Sequence, residues 1–414
     1  MLRNDMCTPI KSGIQTIKDL TPKSPPEQFG LGSPRSLPPA SSGSPAGTSF
    51  LNIVDNAVNC QTATQKVGEL CYALNNCPQK DLPTIYERIV TKIFSLSGGR
   101  GFGIGSILLS NQPRDFGDLS DFLSATGPLL KVSYRLLEIP YCRFDFSISF
   151  LSSATQQQIK AGTASAFITS KLNAQNPSFL NLNSFELYMF TFAAYIVQPY
   201  TQDNKFIPGD SLYPAVLEDY LSFFLPCDGS TPPPLPFPIN MSAPVHVVEA
   251  SPPAPSPSRR SLLRQGLLAA PVRSAPVQNI VSMSGHEVWR SETMINIFSE
   301  LWLSPFSLPA KSKSESPSLN QNTNDAQLAT ADTLRIVRML IKHLHYFSNS
   351  GGPMDVTPLD QLKRSVIQNI KKKVYLLFKF IFTNWPHDNS FRLVQETWLS
   401  YIQVTIGFIK NLQF

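Results

Sequence analysis

A chain of 414 residues can build one or two globular units, and 42% apolar with 10% aromatic residues is enough for a sizeable core. The 36 prolines and only 15% charged residues point to long unstructured stretches between strongly apolar elements, while a net charge of +6 is too modest to define a partner class. Composition also argues against several classes. The six cysteines include no C-x-x-C pair and read as reduced thiols. No apolar run approaches the roughly 20 residues of a spanning helix. No apolar h-region with a small-residue cleavage site opens the chain, so the nucleocytoplasmic side is expected.

In chain order, residues 1–48 are rich in Pro, Ser and Gly without apolar periodicity, and this composition predicts disorder. Phe50, Leu51, Val54 and Val58 then fall at helical spacing, as do Leu82, Ile85, Ile89, Val90, Ile93 and Phe94. The run GGRGFGIGS from Gly98 to Ser106 lacks the spacing of a nucleotide-binding loop and is expected to be a flexible surface loop. From Leu129 to Leu151 the periodicity shortens, and Phe144, Phe146, Ile148 and Phe150 alternate with polar residues as a strand does. Phe185–Val197 and Tyr213–Leu225 return to helix-compatible, aromatic-rich patterns.

Residues 229–283 form a Pro-rich stretch that cannot offset the cost of ordering and is read as a linker. Within it, Arg259–Ala270 pairs four leucines with three arginines, an arrangement able to fold on a membrane or a partner. Ser284 and Glu287 match a capping box ahead of a stripe of Val288, Ile295, Phe298 and Trp302. The next helix carries Leu334, Val337, Ile341 and Leu344 on one stripe, with Arg335, Arg338, Lys342 and His345 beside it. Thr357 as N-cap and Pro358 at the first position open a third helix, which presents Lys371, Lys372 and Lys373 outward. Phe391, Val394, Trp398 and Tyr401 mark a fourth. Nine basic residues against two acidic ones between Leu334 and Phe382 give this region a basic face suited to phosphate-bearing surfaces.

These readings predict a mainly α fold, a helical bundle or α-solenoid-like stack with a minor β element near 144–151 and long disordered Pro/Ser-rich segments. The expected division is 1–48, 49–228, the linker 229–283, and a helical region over 284–403.

Chemistry is harder to find. His343 and His345 are two residues apart, about 200° round a helix, so they cannot share a metal ion as an i, i+4 pair can. No G-x-S-x-G elbow occurs, and none of the cysteines belongs to a recognised Cys/His pattern. Glu287, Glu292 and Glu300 are spread round their helix. His387 and Asp388 lie between two helices, where capping accounts for them as well as acid/base work does. No nucleic-acid-binding motif accompanies the basic helices, and no specific nucleic-acid partner is expected.

Several segments resemble the sphingomyelin phosphodiesterase 4 family, also called neutral sphingomyelinase 3, and they follow the family's order. They are HEVWRSETMINIFSELWL at His286–Leu303, FDFSISFL at Phe144–Leu151, DYLSFFLPCDGSTPPPL at Asp219–Leu235, VRMLIKHLHYFSNS at Val337–Ser350 and FTNWPHDNSFRLVQETWLSYIQ at Phe382–Gln403. The resemblance runs from about Ser49 to Gln403. Residues 404–414 depart from the family pattern, so a fragment or variant lacking the family's C-terminal membrane anchor is expected.

The resemblance implies Mg²⁺-dependent hydrolysis of sphingomyelin to ceramide and phosphocholine. It also implies residence on the cytosolic face of endoplasmic reticulum, Golgi and nuclear envelope membranes, with nuclear pore or envelope proteins as partners. It transfers no active site and no metal ligands. The candidate catalytic residues are therefore Glu287, Glu292, His343 and His387, and the candidates for membrane or phosphate contact are Arg335, Arg338, Lys342, Lys371, Lys372 and Lys373. The alternative is a non-catalytic helical scaffold on nuclear envelope or pore membranes, which the amphipathic helices and basic face support directly.

Overall fold

The computed structural model describes residues 46–98, 101–197, 209–235, 278–304, 330–351 and 357–411, with side chains described from 49, from 288 in the segment 278–304, and up to 402. Residues 1–45 of the segment expected to be disordered, the surface-binding potential of Arg259–Ala270 and most of the linker lie outside these residues, while 46–48 open the first helix.

The chain opens with α1 (Ala46–Ala57), α2 (Ala63–Asn76) and α3 (Leu82–Phe94). Thr62 caps α2 by accepting the Gln65 amide, and Pro83 fixes the first turn of α3. The spacing of Ile85, Ile89, Val90 and Ile93 puts one face of α3 wholly into the core. Two shorter helices follow, α4 (Pro113–Leu123) and α5 (Pro128–Leu137), each begun by proline. The second corrects the sequence reading, which took Leu129–Leu137 for a shorter period. Leu129, Leu130, Val132, Ser133, Tyr134 and Leu136 are buried while Lys131 and Arg135, four residues apart, are exposed, so the repeat is helical although only two charged positions mark it.

The predicted strand is present but shorter. β1 (Phe144–Ser147) buries Phe144 and Phe146, and then Ser147 accepts the Ser149 amide and turns the chain into a single 3₁₀ turn over Ile148–Phe150. After α6 (Ser153–Lys160) and α7 (Ala166–Thr169), β2 (Phe179–Leu182) pairs antiparallel with β1, Phe144 opposite Leu182 and Ser147 opposite Phe179. Among the described residues this is the only sheet, and the architecture is otherwise helical.

Helix α8 (Ser184–Val197) is central. Every side chain from Ser184 to Ile196 is buried, as expected of a helix that is apolar all round. Its start is fixed reciprocally: the Asn183 side chain accepts the Glu186 amide, while Glu186 accepts the Asn183 amide and pairs with Lys171 at 2.5 Å. Helix α9 (Leu212–Phe224) lies against it through stacked Phe192 and Tyr213, with ring centroids 4.5 Å apart. Two tyrosine hydroxyls of this interface are satisfied in the interior, Tyr188 with Tyr220, and Tyr220 with the Leu123 carbonyl.

The glycine-rich run also departs from expectation. Phe102 and Ile104 are buried, the Gly105 amide donates to the Tyr195 hydroxyl, and the Tyr213 amide donates to the Ile104 carbonyl. A Cβ on Gly101 would lie 3.0 Å from the Ile93 carbonyl oxygen. Glycine there permits close backbone approach to α3, so this part of the run is pinned to the core.

The later helices are α10 (Gln278–Trp302), α11 (Ala331–Asn349), α12 (Pro358–Asn384) and α13 (Phe391–Asn411). Ser284 lies inside α10, because the helix begins at Gln278, so the expected capping box does not start it. Thr357 caps α12 as predicted, accepting the Asp360 amide. Met294, Ile297, Phe298, Leu301 and Trp302 bury one side of α10, and the Trp302 Nε1 donates to the Ala193 carbonyl of α8 at 3.0 Å. Residues before and after the Pro-rich stretch thus share one core. Among the described residues no helix is long and apolar enough to cross a membrane.

Candidate functional site

The candidate catalytic side chains are spread over three places. Glu292 is exposed on α10, His387 is exposed in the turn after α12, and His343 is half-buried on α11. No hydrogen bond or ion pair joins any two of them. The His343 Nε2 donates to the Leu225 carbonyl at 2.8 Å, with the Cys227 Sγ 3.6 Å away. A nitrogen that donates to a carbonyl cannot also take a thiol proton, so the pair is not an activated nucleophile. Burial lowers the His343 pKa and raises that of Cys227, keeping both neutral. Glu287 lies in α10, but its side chain is outside the described residues.

The basic residues divide. Arg335 pairs with Asp332 at 2.6 Å, Arg338 bridges to Glu396 and Ser400 of α13, and Lys373 reaches Glu300 of α10 at 2.9 Å. Arg338 and Lys373 tie neighbouring helices together and Arg335 pairs within α11, whereas Lys342, Lys371 and Lys372 are exposed. His345, expected beside them, is turned inward at 4% exposure, against the Tyr401 ring and with its Nε2 unpartnered. The reason is rotational: the 337–341–344 stripe is wider than three residues, and position 345 falls at its edge.

Burial drives the His345 pKa from its ordinary 6.5 down to about 4. The unfolded chain therefore binds a proton that the native chain refuses, and stability is lost as pH falls from 6.5 toward 4. The slope is at most about 1.4 kcal/mol per pH unit. His345→Leu is expected to flatten denaturant-unfolding stability across that window, and equal pH slopes in the two proteins would contradict the assignment.

One open cleft of about 340 Å³ lies between α1 and α3, lined by Leu51, Asp55, Thr84, Glu87, Arg88 and Thr91. Arg88 pairs with Asp55 at 2.7 Å and lowers its pKa, and burial raises that of Glu87. None of the candidate catalytic residues lines it. Mg²⁺ wants oxygen donors in near-octahedral array. Among the described residues no group of three or more His, Cys, Asp or Glu gathers to hold a metal, so any Mg²⁺ there would rest on one or two carboxylates together with the phosphate of a substrate.

The comparisons with known proteins bear on the whole helical region. Residues 48–334 and 323–408 match the family described as mitochondrial-associated sphingomyelin phosphodiesterase. The chain belongs to this family. Among its curated relatives is sphingomyelin phosphodiesterase 4 of Danio rerio, 31% identical over 358 residues, covering 82% of this chain and 44% of the relative. The proteins of the same name from Xenopus laevis and Homo sapiens are 30% and 29% identical over 82% of this chain, covering 46% and 44% of their own lengths. The chain thus spans less than half the length of these relatives. No solved structure matches it.

Within this sphingomyelin phosphodiesterase family chain, the feature that the sequence reading passed over is Arg290. It sits in the Trp-Arg-Ser-Glu-Thr segment, yet its side chain is only 1% exposed. The signal was in the spacing, because Arg290 precedes Met294, Ile297 and Leu301 on the same buried face of α10.

Proposed function

We propose that this chain serves the hydrolysis of sphingomyelin to ceramide and phosphocholine, with Mg²⁺ as the metal, at membranes of the endoplasmic reticulum, Golgi and nuclear envelope. The observation that carries the reading is the family match over residues 48–334 and 323–408. In this reaction water attacks phosphorus, the bond to the ceramide oxygen breaks, and that oxygen takes a proton. A base for the water and a donor for the leaving oxygen are required. Glu292 and His387, being exposed, are the candidates with open access to a headgroup, whereas His343 already donates to Leu225. No step is assigned to Mg²⁺.

A second reading, a non-catalytic helical scaffold that meets nuclear envelope or pore proteins at a membrane, is favoured by the separation of Glu292, His343 and His387. Phosphocholine release from sphingomyelin vesicles decides between the two. The enzyme reading expects release that EDTA abolishes, and absence of release with Mg²⁺ present would leave the scaffold. Because its Nε2 is already engaged by the Leu225 carbonyl, His343→Ala is expected to keep its activity, and unchanged activity in Glu292→Ala and His387→Ala would remove those two as base and donor. A drop of about a hundredfold, the size expected for a lost general acid or base, would instead place catalysis at that residue.

A further inference from the structure

Helix α12 has two unlike faces. Val366, Ile370, Val374, Leu377 and Ile381 are buried at the spacing that a helix packed on one side requires. On the other side Lys371, Lys372, Tyr375, Lys379 and Phe382 are all exposed. At 100° per residue these five fall within an arc of about 100°, along about 17 Å of helix. Tyr375 is 65% exposed and Phe382 38%. Trp398 of α13, 40% exposed, meets the Phe382 ring edge-on at 6.1 Å and carries the aromatic strip onto the next helix.

The charge on this face has one sign. No Asp or Glu occurs from Gln361 to His387, a stretch that holds six Lys or Arg. Lys373 is held by Glu300 on the packed side, whereas Lys371, Lys372 and Lys379 have no ion pair among the described residues. Beyond α12, Asp388 accepts from Ser390, and Glu396 of α13 is held between Arg338 and Arg392. Exposed lysines alone are ordinarily just solvated, and exposed rings alone fit any apolar partner. Their interleaving on one arc narrows the occupant. At a bilayer surface, Tyr and Trp rings sit at headgroup level, and lysine stems lie along apolar matter while the ammonium reaches the phosphates. A helix of this kind lies in the interface plane, and α12 is not apolar enough to cross it.

We propose that the face of α12 carrying Lys371, Lys372, Tyr375, Lys379 and Phe382, extended by Trp398, docks on an anionic lipid surface. The lysines meet the lipid anions and the three rings enter the headgroup layer. This rests on the membrane setting of the proposed function but not on hydrolysis, and a scaffold would use the face equally.

The test uses the whole chain and vesicles of phosphatidylcholine and phosphatidylserine at about two to one, without sphingomyelin or Mg²⁺, so that binding and hydrolysis fail separately. Co-sedimentation should weaken with added salt and be much weaker on phosphatidylcholine alone. Lys371→Gln with Lys379→Gln should bind about twentyfold more weakly, at about fivefold per lysine. Lys80→Gln with Lys131→Gln removes the same charge from exposed positions off α12 and should bind as the parent does. Tyr375→Ser should bind about tenfold more weakly, through loss of a ring half-buried in lipid. All these positions are exposed, so each variant should keep the parent Tm. Brominated phosphatidylcholine in the same vesicles should quench the tryptophan fluorescence, and Trp398→Phe should remove most of that quenching. The proposal is overturned if the parent does not bind these vesicles, if the two double variants bind alike, if Tyr375→Ser binds as the parent does, or if the quenching survives Trp398→Phe. Binding of polyglutamate without binding of vesicles would assign the lysines to an acidic polypeptide and overturn it as well.

Discussion

Replacing Trp302 by alanine is expected to cost about 3–5 kcal/mol of folding stability, the range for truncating a large buried aromatic. Trp302 is fully buried, stacks on Phe298 with ring centroids 4.3 Å apart, and donates to the Ala193 carbonyl. Its removal opens a cavity where α10 meets α8, in a core whose other side chains are already close-packed. Trp302→Phe keeps an aromatic ring in place and loses the hydrogen bond, at about 1 kcal/mol plus the smaller packing loss. Urea unfolding of the two variants separates these contributions. A cost below about 1 kcal/mol for the alanine variant, within the range of surface substitutions, would mean that α10 is not seated on α8.

The second large effect is expected at Lys373. Its ammonium meets Glu300 at 2.9 Å and Ser299 at 3.2 Å, and the Glu300 carboxylate, 6% exposed, also accepts the Ser304 hydroxyl. Lys373→Met leaves that carboxylate buried without its cation, and breaking a buried pair from one side costs about 3–5 kcal/mol. Lys373 itself is about a quarter exposed, and access of water there argues for the lower end, about 3 kcal/mol. The double substitution Lys373→Met with Glu300→Met should recover most of the loss, because it removes the stranded charge as well. Additive costs in the double variant would show that the two side chains do not interact.

The same residue shows what the sequence can and cannot disclose. Lys371, Lys372 and Lys373 are consecutive on α12 and look alike in sequence, yet a helix turns 100° per residue, and only Lys373 comes round to α10. Deciding which lysine turns inward requires knowing which helix lies beside it. Apolar stripes needed no such knowledge, and α3, α8, α9, α11 and α12 were legible from spacing, as was the Thr357 cap. Helix α5 was not read as one, although Lys131 and Arg135 stand four residues apart on its exposed side, because it is short and runs into the β1 alternation. The end of β1 was hidden for another reason: a single Ser147 side-chain hydrogen bond overrides an alternation that continues to Phe150. Arg290 stayed unnoticed because an arginine is expected at the surface, and only the apolar residues that follow it at helical spacing say otherwise.

The shared core has a consequence for unfolding, and the chain carries its own reporters. All four tryptophans lie at Trp289, Trp302, Trp385 and Trp398, after the Pro-rich stretch, and all six cysteines lie before it. Cys71, Cys77 and Cys142 are half-buried thiols packed against the core, and burial raises the pKa of each, which slows their reaction in the native state. The most direct measurement is therefore urea unfolding followed at once by tryptophan fluorescence and by thiol labelling at these three cysteines. A single core predicts coincident transitions with one midpoint. Two resolved midpoints, with the thiols released separately from the tryptophan signal, would contradict it.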